Sequence, residues 1–171
     1  MPAIAVELTC VVEIPKGSRN KYEYDPVLGG VKLDRFLSAS VVYPTDYGYV
    51  PDTLAPDGDP LDVLVCVSEP TFPGCIVPAK VLGELQMADE KGDDPHLICV
   101  PCSDPGWNHL DEIDDMPDQL RAEITHFFTV YKDLDHDRHS EVTGWGDRSS
   151  GLPTLENARQ AFLDTTGIVH S

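Results

Sequence analysis

A chain of 171 residues, 41% hydrophobic and 25% charged, has enough material for one domain with its own apolar core and without disulfide or metal staples. Its longest apolar runs, such as Val63-Leu64-Val65-Cys66-Val67, fall far short of the roughly 20 residues that span a bilayer, and the start Met1-Pro2-Ala3-Ile4-Ala5-Val6-Glu7 carries no basic export signal, so the expectation is one cytoplasmic domain over 1–171 with no membrane partner. The 12 Lys+Arg against 30 Asp+Glu give −18, a field that repels polyanions and argues against nucleic acid; the acid is either a solvated coat or in part a set of oxygen ligands for divalent metal.

In chain order, apolar stretches bounded by Gly, Pro or Asp predict strands from Val6 to Ile14, Val31 to Leu37, Leu61 to Val67, Ile76 to Leu85 and Leu97 to Pro101, a spacing that suggests a small barrel. From Pro117 the period changes, because Leu120, Ile124, Phe127, Phe128 and Tyr131 share one helical face. Pro117 with Asp114, Asp115 and Asp118 suits a helix start. Asp135 to Gly151 reads as a polar loop with a short strand around Val142, and a second helix is predicted after Thr154, with Leu155, Ala158 and Phe162 inward. Strands followed by helices predict an α+β domain.

Five cysteines, an odd number, point to reduced thiols rather than a disulfide framework. Cys99-Val100-Pro101-Cys102, near His96 and His109, raises a zinc or redox site. The strand reading opposes it, since an offset of three sends the two thiols to opposite faces and no second C-x-x-C completes a tetrahedral set.

The densest acidic cluster is Asp57-Gly58-Asp59-Pro60-Leu61-Asp62. Alone it is also a turn signature, but three carboxylates in six residues repel one another unless a cation sits among them. It is not an EF-hand loop: counted from Asp57, the sixth position is Asp62 where Gly is required and the twelfth is Ser68 where Glu belongs. Asp89-Glu90-Lys91-Gly92-Asp93-Asp94 supplies a second acidic loop, and two such loops at neighbouring strand ends suit the metal clamp of phosphoryl chemistry. Five of the 12 basic residues, Lys16, Arg19, Lys21, Lys32 and Arg35, lie early in the chain, and Lys132 follows Tyr131; such cations beside acidic metal loops fit an anionic, metal-bridged substrate.

Glu13-Ile14-Pro15, Lys21-Tyr22-Glu23, Leu33-Asp34-Arg35-Phe36, Tyr43-Pro44-Thr45-Asp46-Tyr47-Gly48-Tyr49, the Asp57 to Val63 segment, Asp89-Glu90, Asp94 and His126-Phe127-Phe128-Thr129-Val130-Tyr131-Lys132-Asp133 stand in an order and at spacings that resemble the soluble family I inorganic pyrophosphatases, in their short bacterial form. The resemblance covers roughly residues 5–146. It implies a five-stranded OB-like closed β-barrel with two main flanking helices, and hydrolysis of inorganic pyrophosphate by metal-activated water. It implies Mg²⁺ ions, with Mn²⁺ as an alternative, held by Glu23, Asp57, Asp59, Asp62, Asp89 and Asp94, and Asp59 as the catalytic proton acceptor. Lys21, Arg35, Tyr47, Tyr131 and Lys132 would grip the phosphates while Glu13 and Tyr43 support the site. The expected partners are pyrophosphate and further copies of the chain, as a hexamer.

One departure is Asp94-Pro95-His96, where the family pattern has Asp-x-Lys. His96 is expected to face the site as a weaker phosphate contact that regains charge toward pH 6, the alternative being a surface side chain turned away by Pro95. Arg138 and His139 stand where the relatives have Gly-Lys. The rival functions are a hydrolase shifted toward short polyphosphates or nucleotides and a metal-binding OB module without catalysis. The second predicts loss of one of the five aspartates, and none is lost.

Overall fold

The computed structural model describes residues 4–167. Strands β1 (Leu8–Ile14), β2 (Asn20–Asp25), β3 (Gly30–Phe36), β4 (Asp46–Tyr49), β5 (Asp62–Val65), β6 (Ile76–Asp89), β7 (Gly92–Asp93) and β8 (His96–Pro101) precede helix α1 (Asp118–Val130), strand β9 (Ser140–Gly146) and helix α2 (Arg148–Thr166). Five strands close a ring. β1 is antiparallel to β4 and β4 to β5, β5 runs parallel to β8, β8 is antiparallel to β6, and β6 returns to β1. Closure removes the open edges that a flat sheet would expose. β7 and β9 extend the outer half of β6, and β2 with β3 forms a separate hairpin.

The expected ring is present, but its members are not the five strands that the sequence predicts. The predicted strand from Val31 to Leu37 is β3, which belongs to the hairpin. Its place in the ring is taken by β4, only four residues long and reading Asp-Tyr-Gly-Tyr, which carries no apolar run to betray it. Gly48 is required there, because a Cβ at that position would lie 2.0 Å from the Val11 carbonyl oxygen. In the segment from Asp135 to Gly151 the short strand expected around Val142 is present as β9, and the expected start of the second helix is corrected. β9 forms by pairing Ser140 to Gly146 along Asp89 to Glu84, and α2 begins at Arg148 rather than after Thr154. The Asp147 carboxylate caps α2 by accepting from the Ser150 N–H at 3.1 Å, which offsets the hydrogen bond that Pro153 cannot donate near the helix start.

Alternate residues on the ring divide between two apolar clusters. Leu155 and Ala158 of α2 pack with Cys10, Val12, Val65, Val81 and Leu97. Ile124, Phe127 and Phe128 of α1 pack with Ile14, Leu64, Leu82 and Ile98. Phe128 is 1% exposed, and burial of one such ring is worth about 2–3 kcal/mol. This second cluster is the floor on which the polar site stands. No helix among the described residues is long and apolar enough to cross a membrane.

Candidate active site

Strand register brings the acidic residues together. Asp62 opens β5 and lies opposite His96, the first residue of the parallel strand β8. Asp94 lies two residues before β8 and donates its backbone N–H to the Met87 carbonyl of β6 at 2.9 Å, while Asp89 closes β6 opposite Gly92. Asp57 and Asp59 share the turn before β5. There the Ala55 N–H reaches the Asp59 carbonyl at 2.7 Å and the Asp59 N–H reaches Asp57 Oδ1 at 3.0 Å; Gly58 sits at φ +91°, a conformation that favours glycine.

These carboxylates act on one another. Desolvation, reinforced by the charge of Asp94, pushes Asp62 well above its ordinary value. Asp94 is pushed up to about 6, first by desolvation and then by Asp89; the charges of Lys132 and Lys21 oppose the rise without cancelling it. Asp57 is raised as well, by desolvation and by the charges of Asp94 and Asp59. Repelling hard oxygen donors of this kind fit a divalent cation of the Mg²⁺ type.

Cations border the acids. Lys21 and Arg35 face each other across the β2–β3 hairpin and converge on Asp34, with Lys21 Nζ 3.3 Å and Arg35 Nε 3.0 Å from its Oδ2. Lys132, just past α1, lies 3.8 Å from Asp89 Oδ2 and 3.5 Å from Glu90 Oε2. Glu23 is the backbone register partner of Lys32 across the hairpin, and the Lys32 ammonium lies 3.7 Å from Asp25 Oδ2. Glu13 is buried at the end of β1 and its Oε2 accepts the Tyr24 N–H at 2.8 Å; desolvation, with Glu23 and Asp59 adding to it, pushes its carboxyl up to about 7.

The aromatic floor orients the remaining groups. The Tyr43 ring stands 4.6 Å from Phe127 and 5.5 Å from Tyr47, and Tyr131 stacks on Phe127 at 5.1 Å. Burial holds all three phenols protonated, with their titration raised well above the ordinary value. His96 rests 5.1 Å from the Phe128 ring, is 1% exposed, and places Nε2 3.2 Å from Tyr47 Oη and 3.4 Å from Asp62 Oδ2. Pro95 therefore does not turn it to the surface. Desolvation pushes the imidazole down to about 4, so the expected return of charge near pH 6 does not follow.

Three contributors escaped the sequence reading as site residues: Asp34 and Glu90, which hold the cations, and Phe128, which supports His96. Asp34 and Glu90 lay inside segments already singled out, but no periodicity marks a carboxylate that faces a lysine across a loop. His136, Arg138 and His139 are exposed. Cys99 lies in the apolar cluster of α2, whereas the Cys102 thiol points to the Ala5 carbonyl at 3.8 Å, so the C-x-x-C thiols occupy separate environments.

The family model described as inorganic pyrophosphatase matches residues 10–162. The inorganic pyrophosphatase of Methanosarcina acetivorans is 48% identical over 154 residues, covering 90% of this chain and 91% of that one. That of Streptomyces coelicolor is 47% identical over 162 residues, covering 95% and 99%. The crystal structure of inorganic pyrophosphatase from Thermus thermophilus superposes with a TM-score of 0.89 at 43% identity, covering 95% of this chain and 96% of that one. With match, identity and architecture in agreement, the chain belongs to the inorganic pyrophosphatase family, hydrolases that split pyrophosphate into two phosphates.

Proposed function

We propose that this protein hydrolyses inorganic pyrophosphate by direct attack of water, in a site loaded with several Mg²⁺ ions and without a covalent enzyme intermediate. The observation that carries the reading is the pairing of unneutralised carboxylates, with Asp62 and Asp94 both raised, against a border of Lys21, Arg35 and Lys132. The residues that would hold the ions are Glu23, Asp57, Asp59, Asp62, Asp89 and Asp94, and Mn²⁺ suits the same oxygens. When bound, such ions acidify water and neutralise phosphate oxygens.

The chain's own groups do the rest. Asp59, on the exposed turn at Gly58, accepts the proton of the attacking water. Lys21 and Arg35, released from Asp34, and Lys132, released from Asp89 and Glu90, bind the phosphate oxygens. The protonated hydroxyls of Tyr47 and Tyr131 donate to the same anion, while Glu13 and Tyr43 fix the hairpin and the aromatic floor. The negative field of the whole chain disfavours a bare polyanion and favours its magnesium complex. We also propose a cytoplasmic homo-oligomer, a hexamer, supported by exposed Phe36, Phe72 and Ile76.

Phosphate release from pyrophosphate, tripolyphosphate and ATP, each with Mg²⁺ and with EDTA, tests the reading. The expected result is rapid release from pyrophosphate alone, abolished by EDTA. Faster turnover of either other substrate overturns the substrate assignment, and activity undiminished by EDTA overturns the metal.

A further inference from the structure

His96 is a buried polar side chain whose hydrogen bonding does not close. Its Nδ1 has no partner among the described residues, although the residue is 1% exposed. Its Nε2 faces Asp62 Oδ2 at 3.4 Å and Asp94 Oδ2 at 3.8 Å, both beyond the about 2.7–2.9 Å of a charge-assisted hydrogen bond. Tyr47 Oη is nearer, at 3.2 Å, but its proton has a second acceptor in the Asp62 carboxylate. One nitrogen and two carboxylate oxygens therefore lie within 4.8 Å of one another, close enough to share an ion.

The spacing is that of ligands on a shared ion. Two donors each about 2.1 Å from a metal stand about 3.0 Å apart at a right angle and about 3.4 Å apart at the tetrahedral angle. For an octahedral ion such as Mn²⁺ the right-angle separation applies, so the observed 3.4 Å closes with a shift of about 0.4 Å and 3.8 Å with about 0.8 Å. Backbone pairing presets it: Asp62 and His96 are register partners on parallel strands, and the Phe128 and Tyr47 rings hold the imidazole in place.

We propose that His96 Nε2 is a metal ligand, completing with one oxygen each of Asp62 and Asp94 a mixed nitrogen–oxygen position that takes a transition-series divalent ion such as Mn²⁺ in preference to Mg²⁺. The preference follows from donor type, since imidazole nitrogen strengthens binding along the transition series and does little for the oxygen-seeking Mg²⁺. The gain is modest because Nδ1 lacks the outer hydrogen bond that stiffens most metal-binding imidazoles. The proposal rests on the reading above that this cluster holds divalent metal.

Pulsed EPR of the metal-stripped protein reloaded with Mn²⁺, free of pyrophosphate, tests it. The expected spectrum carries ¹⁴N modulation from a directly bound nitrogen, replaced by a ¹⁵N pattern in protein grown on ¹⁵N-histidine. His96→Leu should remove the modulation and reduce the Mn²⁺ to Mg²⁺ affinity ratio, read by titration calorimetry, by about tenfold. The ¹⁵N-histidine experiment uses the unmodified chain and stands if the variant does not fold. Bound Mn²⁺ without nitrogen coupling, or coupling that survives in His96→Leu, overturns the role of His96 and leaves the metal cluster intact. Failure of the protein to bind Mn²⁺ at all overturns both readings.

Discussion

The Glu7 carboxylate and the Asp62–Asp94 pair are partly buried acids on the same ring of strands, and they are treated in opposite ways. Glu7 accepts from the Val81 N–H at 2.9 Å and from both terminal nitrogens of Arg148, which hold its carboxyl below the ordinary value. Arg148 also donates to the Val81 carbonyl, and Arg159 to the Glu7 carbonyl at 2.8 Å, so this charge ties α2 to β1 and β6. Asp62 and Asp94 have no arginine partner among the described residues, and the nearby Lys132 contacts Asp89 and Glu90 instead. The first region uses charge to close the fold. The second leaves charge uncompensated, the condition under which a cation gains most by binding.

The largest effect that separates the two regions is on turnover. Asp59→Asn removes the proposed proton acceptor and keeps the turn, so kcat should fall by a factor on the order of 10²–10⁴ with the melting temperature unchanged. Steady-state phosphate release checks it, and near-normal turnover would remove Asp59 from the mechanism.

The next effect is the pH dependence of stability in EDTA. Asp94 is raised from 3.8 to about 6 in the folded chain, so between those values the native state holds more protons than the unfolded state and stability falls as pH rises. The loss is on the order of 3 kcal/mol. Glu7 runs the other way: its contribution is present above 4.5 and lost as pH falls through its lowered folded value. Urea unfolding from pH 4 to 7 should show the decline in EDTA and its absence under saturating Mg²⁺, whereas a flat profile in EDTA would mean that the Asp cluster is not repelling.

The smallest effect belongs to the closed region. Glu7→Gln keeps the volume and removes the charge, and should lower stability by about 1–2 kcal/mol while kcat stays unchanged. Thermal unfolding and kinetics on the same sample check both halves.

The site was legible where residue type alone carries chemistry. Asp57, Asp59, Asp62, Asp89 and Asp94 stood out because clustered carboxylates need a reason, and Lys21, Arg35 and Lys132 because cations are scarce in this chain. The apolar strands β1, β5, β6 and β8 were legible for a similar reason, since Val, Ile and Leu runs bury themselves. β4 was not, because backbone pairing to β1 rather than a hydrophobic face holds it, and pairing across 30 or more residues leaves no local mark; β9 was legible only as a short strand around Val142, its full length being set by pairing to β6. The start of α2 hid behind Gly151 and Pro153, local breakers that the Asp147 cap and packing beneath β6 override. The neutrality of His96 was invisible because it depends on burial against Phe128, which only the assembled ring creates.

The measurement that bears most directly on uncompensated charge as the basis of metal binding is the melting temperature of Asp94→Asn against the unmodified chain, at pH 8, with and without Mg²⁺. Without metal the variant should melt higher, because a repelling carboxylate has gone, and Mg²⁺ should raise the unmodified chain far more than the variant. A variant that melts lower in EDTA, or gains as much from Mg²⁺ as the unmodified chain, would contradict the account.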